Sequence, residues 1–103
     1  MTFPPRDHKI SLADAVALTR RYRDQMPADT VRAGAYHADQ VRELLAQPGC
    51  VAVRVYVARQ ADGKDTLVMV GVDANDKDLS GGILLDVMFP CPPFCEGGGA
   101  LSS

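Results

Sequence analysis

Residues 50–73 decide the fold, and they read Cys50-Val-Ala-Val-Arg-Val-Tyr-Val-Ala-Arg59, Gln60-Ala-Asp-Gly-Lys-Asp65, Thr66-Leu-Val-Met-Val-Gly-Val-Asp73. The first run places an apolar residue at every second position, on one face of an extended strand: Val51, Val53, Val55 and Val57. Such β-branched residues fit a pleated, half-buried surface. Asp62-Gly63 then supplies a turn pair that accepts positive φ, and a second apolar run follows. The stretch therefore predicts a β-hairpin.

Two further strands are predicted after the turn. The second strand, predicted over Thr66–Val72, is apolar on both faces. This pattern favours a central strand that is covered on both sides, or on one side by a partner chain. A third strand is predicted over Ile83–Phe89, and Pro90 ends it because proline lacks the backbone N–H. Together the three strands form an antiparallel meander.

Two amphipathic helices precede the hairpin. Ser11 is a good N-cap, and from Leu12 apolar residues recur with helical spacing until Pro27 disfavours helical geometry at Met26. A second helix is predicted from His37 or Ala38 to Gln47, before Pro48-Gly49. Its inner face is predicted to carry Val41, Leu44 and Leu45.

These patterns predict an α+β fold in which two N-terminal amphipathic helices pack on a three-stranded antiparallel β-meander, in a single domain. Residues 1–10 are expected to be a flexible arm that Phe3 and Ile10 pin to the body. Residues 11–90 form the domain. Residues 91–103 are a Cys/Pro segment and then a Gly-rich tail, expected to be irregular and then disordered.

Composition and charge argue against two classes of partner. The net charge of the 103 residues is −2, and no basic run exceeds Arg20-Arg21, so the sequence predicts no nucleic-acid partner. The longest mostly apolar run, residues 82–90, is about half of a membrane span. The N-terminus lacks the apolar core of a signal peptide, so we expect a cytoplasmic protein in which disulfides are disfavoured. Eight arginines to three lysines suggest a GC-rich bacterial genome.

The three cysteines are the main candidates for a chemical role, since the sequence contains no catalytic motif. Cys91 and Cys95 enclose Pro-Pro-Phe, a spacing that suits a zinc half-site, a disulfide or redox pair, or thiols without a role. A thioredoxin-like motif would have two intervening residues at a helix N-terminus, which this pair lacks. Cys50 is expected to be a small core residue, because free cysteine is often buried.

Other patterns of polar residues are weaker. The acidic loop Asp73–Asp78 fails the calcium-loop pattern, because Lys77 and Asp78 occupy positions that need a ligand and a glycine. It is expected to be a solvated turn. His8 and His37 stand alone and are expected at the surface.

Two groups of side chains are candidates for an interaction surface. Arg20 and Arg23, with Arg21 beside them and Arg32 further along the chain, could hold an acidic partner, or the arginines of the helix form a solvated face. Arg54 and Tyr56 share the second face of the first strand, and both residue types are enriched at protein interfaces.

The favoured hypothesis is that the protein is a small non-catalytic bacterial interaction or assembly module. It is expected to form a homo-oligomer through its β-sheet, and a protein partner is possible. The second strand supports it, because exposed apolar surface is usually covered. The alternative is a metal-binding or thiol-redox protein that uses Cys91 and Cys95, with zinc as the metal. A third hypothesis, a small enzyme with a site between subunits, would centre on Asp86, the one acid inside an apolar strand.

Overall fold

The computed structural model describes residues 3–102, so Met1 and Thr2 of the predicted arm and Ser103 of the tail lie outside the described residues. Two helices and five strands follow one another along the chain: α1 (Leu12–Gln25), β1 (Ala33–Ala35), α2 (Ala38–Leu45), β2 (Ala52–Arg59), β3 (Asp65–Val72), β4 (Leu84–Leu85) and β5 (Phe89–Cys91). The strands form one antiparallel sheet of order β2-β3-β4 and one antiparallel pair, β1-β5. The predicted mixture of two helices and a three-stranded antiparallel sheet is confirmed.

The β2–β3 hairpin is confirmed over its whole length. Ala52 pairs with Val72 at one end and Arg59 with Asp65 at the other. Gly63 takes φ 89° in the connecting turn, a conformation that glycine adopts without steric cost. β3 is the central strand, as its apolar residues on both faces predicted.

The predicted third strand, Ile83–Phe89, is wrong in its extent. The chain pairs with β3 only at β4, and Val87 then adopts φ 53°. The break at Val87 allows both Leu85 and Met88 to be buried, each with 8% of its surface exposed. In a continuous strand, residues three positions apart point to opposite faces.

After the kink the chain forms β5 and pairs with β1. The sequence predicts no strand at β1, whose residues are Ala33-Gly34-Ala35, because Gly34 favours a connection. Its partner strand, β5, lies more than fifty residues further along the chain, and no local sequence pattern predicts that pairing. Cys91 is the last residue of β5 and is buried, so the pairing reaches the residue where the irregular tail was predicted to begin.

Both predicted helices form, but they pack differently. Ser11 caps α1, since its Oγ accepts a hydrogen bond at 3.0 Å from the backbone N–H of Asp14. No residue of α1 is fully buried, so the expected close packing of this helix on the sheet is not seen. α2 packs towards β3 through Leu44, which is fully buried. Leu45, predicted on the inner face, is exposed instead.

The core is small and lies where α2, β3 and the two short strands β4 and β5 meet. It consists of six apolar side chains: Leu44, Val70, Val72, Leu85, Met88 and Cys91. Gln47 joins two parts of this region, because its Nε2 donates to the Leu44 carbonyl and its Oε1 accepts from the Ile83 N–H, both at 2.8 Å.

Candidate functional site

The outer strand of the larger sheet carries an exposed apolar face. β2 is terminal in the order β2-β3-β4, so only one of its two edges is hydrogen-bonded. The alternating valines were expected on a half-buried face, yet all four are exposed, from 43% at Val53 to 82% at Val57. No helix covers this face closely enough to bury them.

The other face of β2 holds Arg54 and Tyr56, which the structure brings together on one carboxylate. The Arg54 guanidinium donates to Asp78 at 2.5 Å and also to Asp76. The Tyr56 hydroxyl donates to the second oxygen of Asp78. The hydrogen bond from Arg54 to Asp76 is the largest of several effects that raise the pKa of the guanidinium. Both predicted interface residues are therefore engaged within the chain.

The acidic turn that binds them is organised by Asp73. Its carboxylate accepts from the backbone N–H groups of Asn75 at 2.8 Å and Lys77 at 3.0 Å. Asp76 adopts φ 63° in the same turn. The arrangement turns carboxylates towards Arg54, which gives this turn a structural role as the partner of β2.

The N-terminal arm also reaches β2. The Phe3 ring lies 5.7 Å from the Arg54 guanidinium carbon, within the range of a cation–π contact. Ile10, the second predicted anchor, is 59% exposed. Within residues 3–102, no backbone hydrogen bond joins the arm to the edge of β2.

The arginines of α1 differ in their exposure and contacts. Arg20 is exposed, as expected for a solvated helix face. Arg23 is half-buried and donates a hydrogen bond to the carbonyl of Leu101. Arg23 therefore attaches the C-terminal segment to α1, a contact that the sequence did not predict.

Cys91 and Cys95 form a disulfide, with their Cα atoms 4.8 Å apart. The Phe94 N–H donates to the Pro90 carbonyl at 2.8 Å, and this turn brings the two sulfurs together. In the disulfide form neither sulfur offers a thiolate to a metal, so zinc binding concerns only the reduced pair and stays a prediction. Among residues 3–102, no group of three or more His, Cys, Asp or Glu side chains could hold a metal ion. Cys50, expected in the core, is half-buried.

A cleft of about 400 Å³ is lined by Asp86, on which the enzyme hypothesis centres, and also by Tyr36 and His37. The Tyr36 hydroxyl donates to the Leu67 carbonyl, and Asp86 accepts from the Thr66 hydroxyl at 2.7 Å. Burial, and then the Asp86 charge, raise the pKa of Tyr36. The His37 ring packs edge-on against a phenylalanine, and no hydrogen bond joins it to Asp86 in the described chain. The polar groups of this cleft therefore hold the fold together.

A second cavity, of about 390 Å³, lies between α1, β1 and the hairpin, with residues 101–102 at one side. Arg32 lines it, and its Nε is buried without a hydrogen-bond partner. The sequence showed Arg32 only as a further positive charge that follows the arginines of α1. The cavity combines apolar residues from distant segments, and no local pattern in the sequence marks it.

No protein-family model, curated protein or solved structure matches this chain. No helix within residues 3–102 combines the length and the apolar character that crossing a bilayer requires.

Proposed function

We propose that this chain is a non-catalytic assembly module that associates with a second copy of itself through the free edge of β2. The observation that carries the proposal is the combination, on one strand, of an unpaired backbone edge and three exposed valines, Val53, Val55 and Val57. An unpaired edge strand is a template for pairing with another chain. Pairing of β2 with its copy would make one sheet of six strands across the dimer.

The surface area supports this proposal. The chain exposes 7551 Å² of surface. A folded monomer of 11.0 kDa is expected to expose about 5,600 Å². The radius of gyration of 15.3 Å also exceeds the value of about 13 Å expected for a compact domain of this length. The excess area is larger than the roughly 800 Å² that each partner contributes to a standard interface.

The sequence of β2 is nearly symmetric about Val55, which suits an antiparallel pairing with its copy. In a register centred on Val55, Val53 lies opposite the copy's Val57, and Arg54 lies opposite the copy's Tyr56. The two Arg54 charges are then kept apart, and the valine row continues across the interface. Cross-strand apolar pairs of this kind stabilise sheets.

The experiment is light scattering and sedimentation of the purified protein at tens of micromolar, compared with Val55→Lys. We expect a dimer for the wild type and a monomer for Val55→Lys, because two lysines would meet at the centre of the interface. Val87→Lys is the matched control, since Val87 is 88% exposed and lies outside β2. A monomeric wild type, or a dimeric Val55→Lys, would contradict the proposal.

The disulfide supports a second candidate function, a thiol-redox module that uses Cys91 and Cys95. In this reading an external dithiol gives two electrons and two protons to the disulfide and is itself oxidised. A disulfide that closes so short a loop stabilises the fold by about 2 kcal/mol. Cytoplasmic localisation stays a prediction, and a persistent disulfide is more typical of oxidising compartments.

Mass spectrometry of unreduced, denatured protein tests this candidate. We expect a mass lower by two hydrogens, which dithiothreitol restores, and a fall of about 2 kcal/mol in the free energy of unfolding after reduction. Cys50→Ser should keep the mass difference, whereas the double variant Cys91→Ser, Cys95→Ser should lose it. Zinc added to the reduced wild type tests the metal alternative, and that double variant is its control.

A further inference from the structure

The cavity between α1, β1 and the hairpin has mostly apolar walls. Side chains from four segments of the chain contribute to it: Leu18, Tyr22, Val31, Val57, Leu67 and Met88. Its volume of about 390 Å³ lies within the range of small-molecule sites, which is roughly 300–1,000 Å³. An engineered apolar cavity of about 150 Å³ admits benzene. This cavity is therefore large enough for an aryl group or a medium-length alkyl chain.

Arg32 gives this apolar cavity a polar feature that needs a partner. Its Nη1 donates to the Ala28 carbonyl at 3.3 Å, and its Nη2 lies 4.0 Å from the Cys95 sulfur. Its Nε is buried with no hydrogen-bond partner, and no carboxylate of the described residues forms an ion pair with it. A buried donor without an acceptor is costly, and buried arginines are normally paired.

The charges of the lining favour an anion. Arg32 gives the lining a positive charge that no carboxylate of the described residues pairs with, and the acidic residue of the lining is Asp65. Asp65 already pairs with Arg59, whose Nε lies at 3.2 Å. A guanidinium binds carboxylate and phosphate in two-point geometry, and a carboxylate is the smaller of the two groups for a cavity with mostly apolar walls.

We propose that this cavity binds a small amphipathic monocarboxylate whose apolar body lies among the side chains of α1 and the hairpin. Its carboxylate pairs with the Arg32 guanidinium, which lines the cavity and forms no ion pair among the described residues. The ligand class is an aryl or medium-chain carboxylic acid. The inference does not rest on self-association, although Val57 belongs both to the cavity wall and to the free edge strand.

The test uses two probes on the full chain, octanoate and the neutral octanol, with dissociation constants measured by NMR titration. We expect octanoate to bind more tightly than octanol by about ten-fold or more, as a charge-assisted hydrogen bond would give. Arg32→Gln should abolish that preference while octanol still binds. Arg42→Gln should keep it, because Arg42 pairs with Asp39 on the exposed surface of α2. Leu18→Trp, which fills the cavity, should weaken both probes.

Several results would overturn the proposal: no saturable binding of octanoate, equal affinity for octanoate and octanol, or an unchanged preference in Arg32→Gln. If Arg32→Gln fails to fold, the wild type is titrated with octanoate below the carboxyl pKa of the probe. Loss of the preference there supports the proposal, and its persistence contradicts it. Val55→Lys should bind octanoate as the wild type does, which separates a failure of this site from a failure of self-association.

Discussion

The sulfur of Met88 lies against Gly34, at a place where a Cβ on residue 34 would come within 1.9 Å of it. Met88 is buried and directly precedes β5, while Gly34 is the middle residue of β1. A side chain on residue 34 would therefore require the buried Met88 side chain to shift. This contact joins two segments that are more than fifty residues apart in the sequence.

We expect Gly34→Ala to lower the free energy of unfolding by about 1–3 kcal/mol, because the added methyl group overpacks a filled site. The measurement is urea denaturation followed by circular dichroism. Gly81→Ala is the control, since a Cβ at Gly81 meets nothing within 4 Å, and we expect a change within about 0.5 kcal/mol. In Gly34→Ala, Met88→Ala the two losses should not add, since the smaller side chain removes the clash. Strict additivity would show that the two residues are not in contact.

Gln47 joins the end of α2 to the chain before β4 through its side-chain amide. Gln47→Ala leaves the Ile83 N–H and the Leu44 carbonyl without this partner. We expect a loss of about 1–3 kcal/mol in the free energy of unfolding, the usual cost of an unsatisfied buried group. Gln40→Ala is the matched control, because Gln40 is an exposed glutamine within α2. Equal unfolding free energies for the two variants would contradict a bridging role for Gln47.

The raised pKa of Tyr36 predicts that the folded protein loses stability at alkaline pH. Burial, and then the charge of Asp86, raise its pKa in the folded chain, so the folded state keeps a proton that the unfolded chain releases at about pH 10. The stabilising contribution is complete below that pH and is lost as the pH rises through the raised pKa of the folded state. The free energy of unfolding should therefore fall above about pH 10.

Two measurements on variants check this prediction. The tyrosinate absorbance of the wild type should show a phase that titrates late, and Tyr36→Phe should remove that phase. Tyr22→Phe, at the exposed surface of α1, should leave it in place. Asp86→Asn should lower the pKa of Tyr36 only in part, because burial is the larger cause. A late phase that survives in Tyr36→Phe would contradict the assignment.

The sequence predicts which residues of a candidate site lie together only where those residues belong to the same strand. Arg54 and Tyr56 alternate on β2, so sequence spacing alone places them on one face. Their partner Asp78 could not be foreseen, because it depends on how the acidic turn folds back over the sheet. Arg32 was noticed as a charge, whereas the burial of its Nε depends on segments that meet only in the folded chain.

The sequence by itself determined the elements whose signals are local. Alternating valines and Asp62-Gly63 specify the hairpin, and Ser11 and Pro27 set the ends of α1, because each acts through the geometry of neighbouring residues. Tertiary structure decided the break at Val87, the pairing of β1 with β5 and the exposure of the valine face. Those features depend on which distant surfaces meet, since a residue's burial depends on what packs against it and not on its position in a strand.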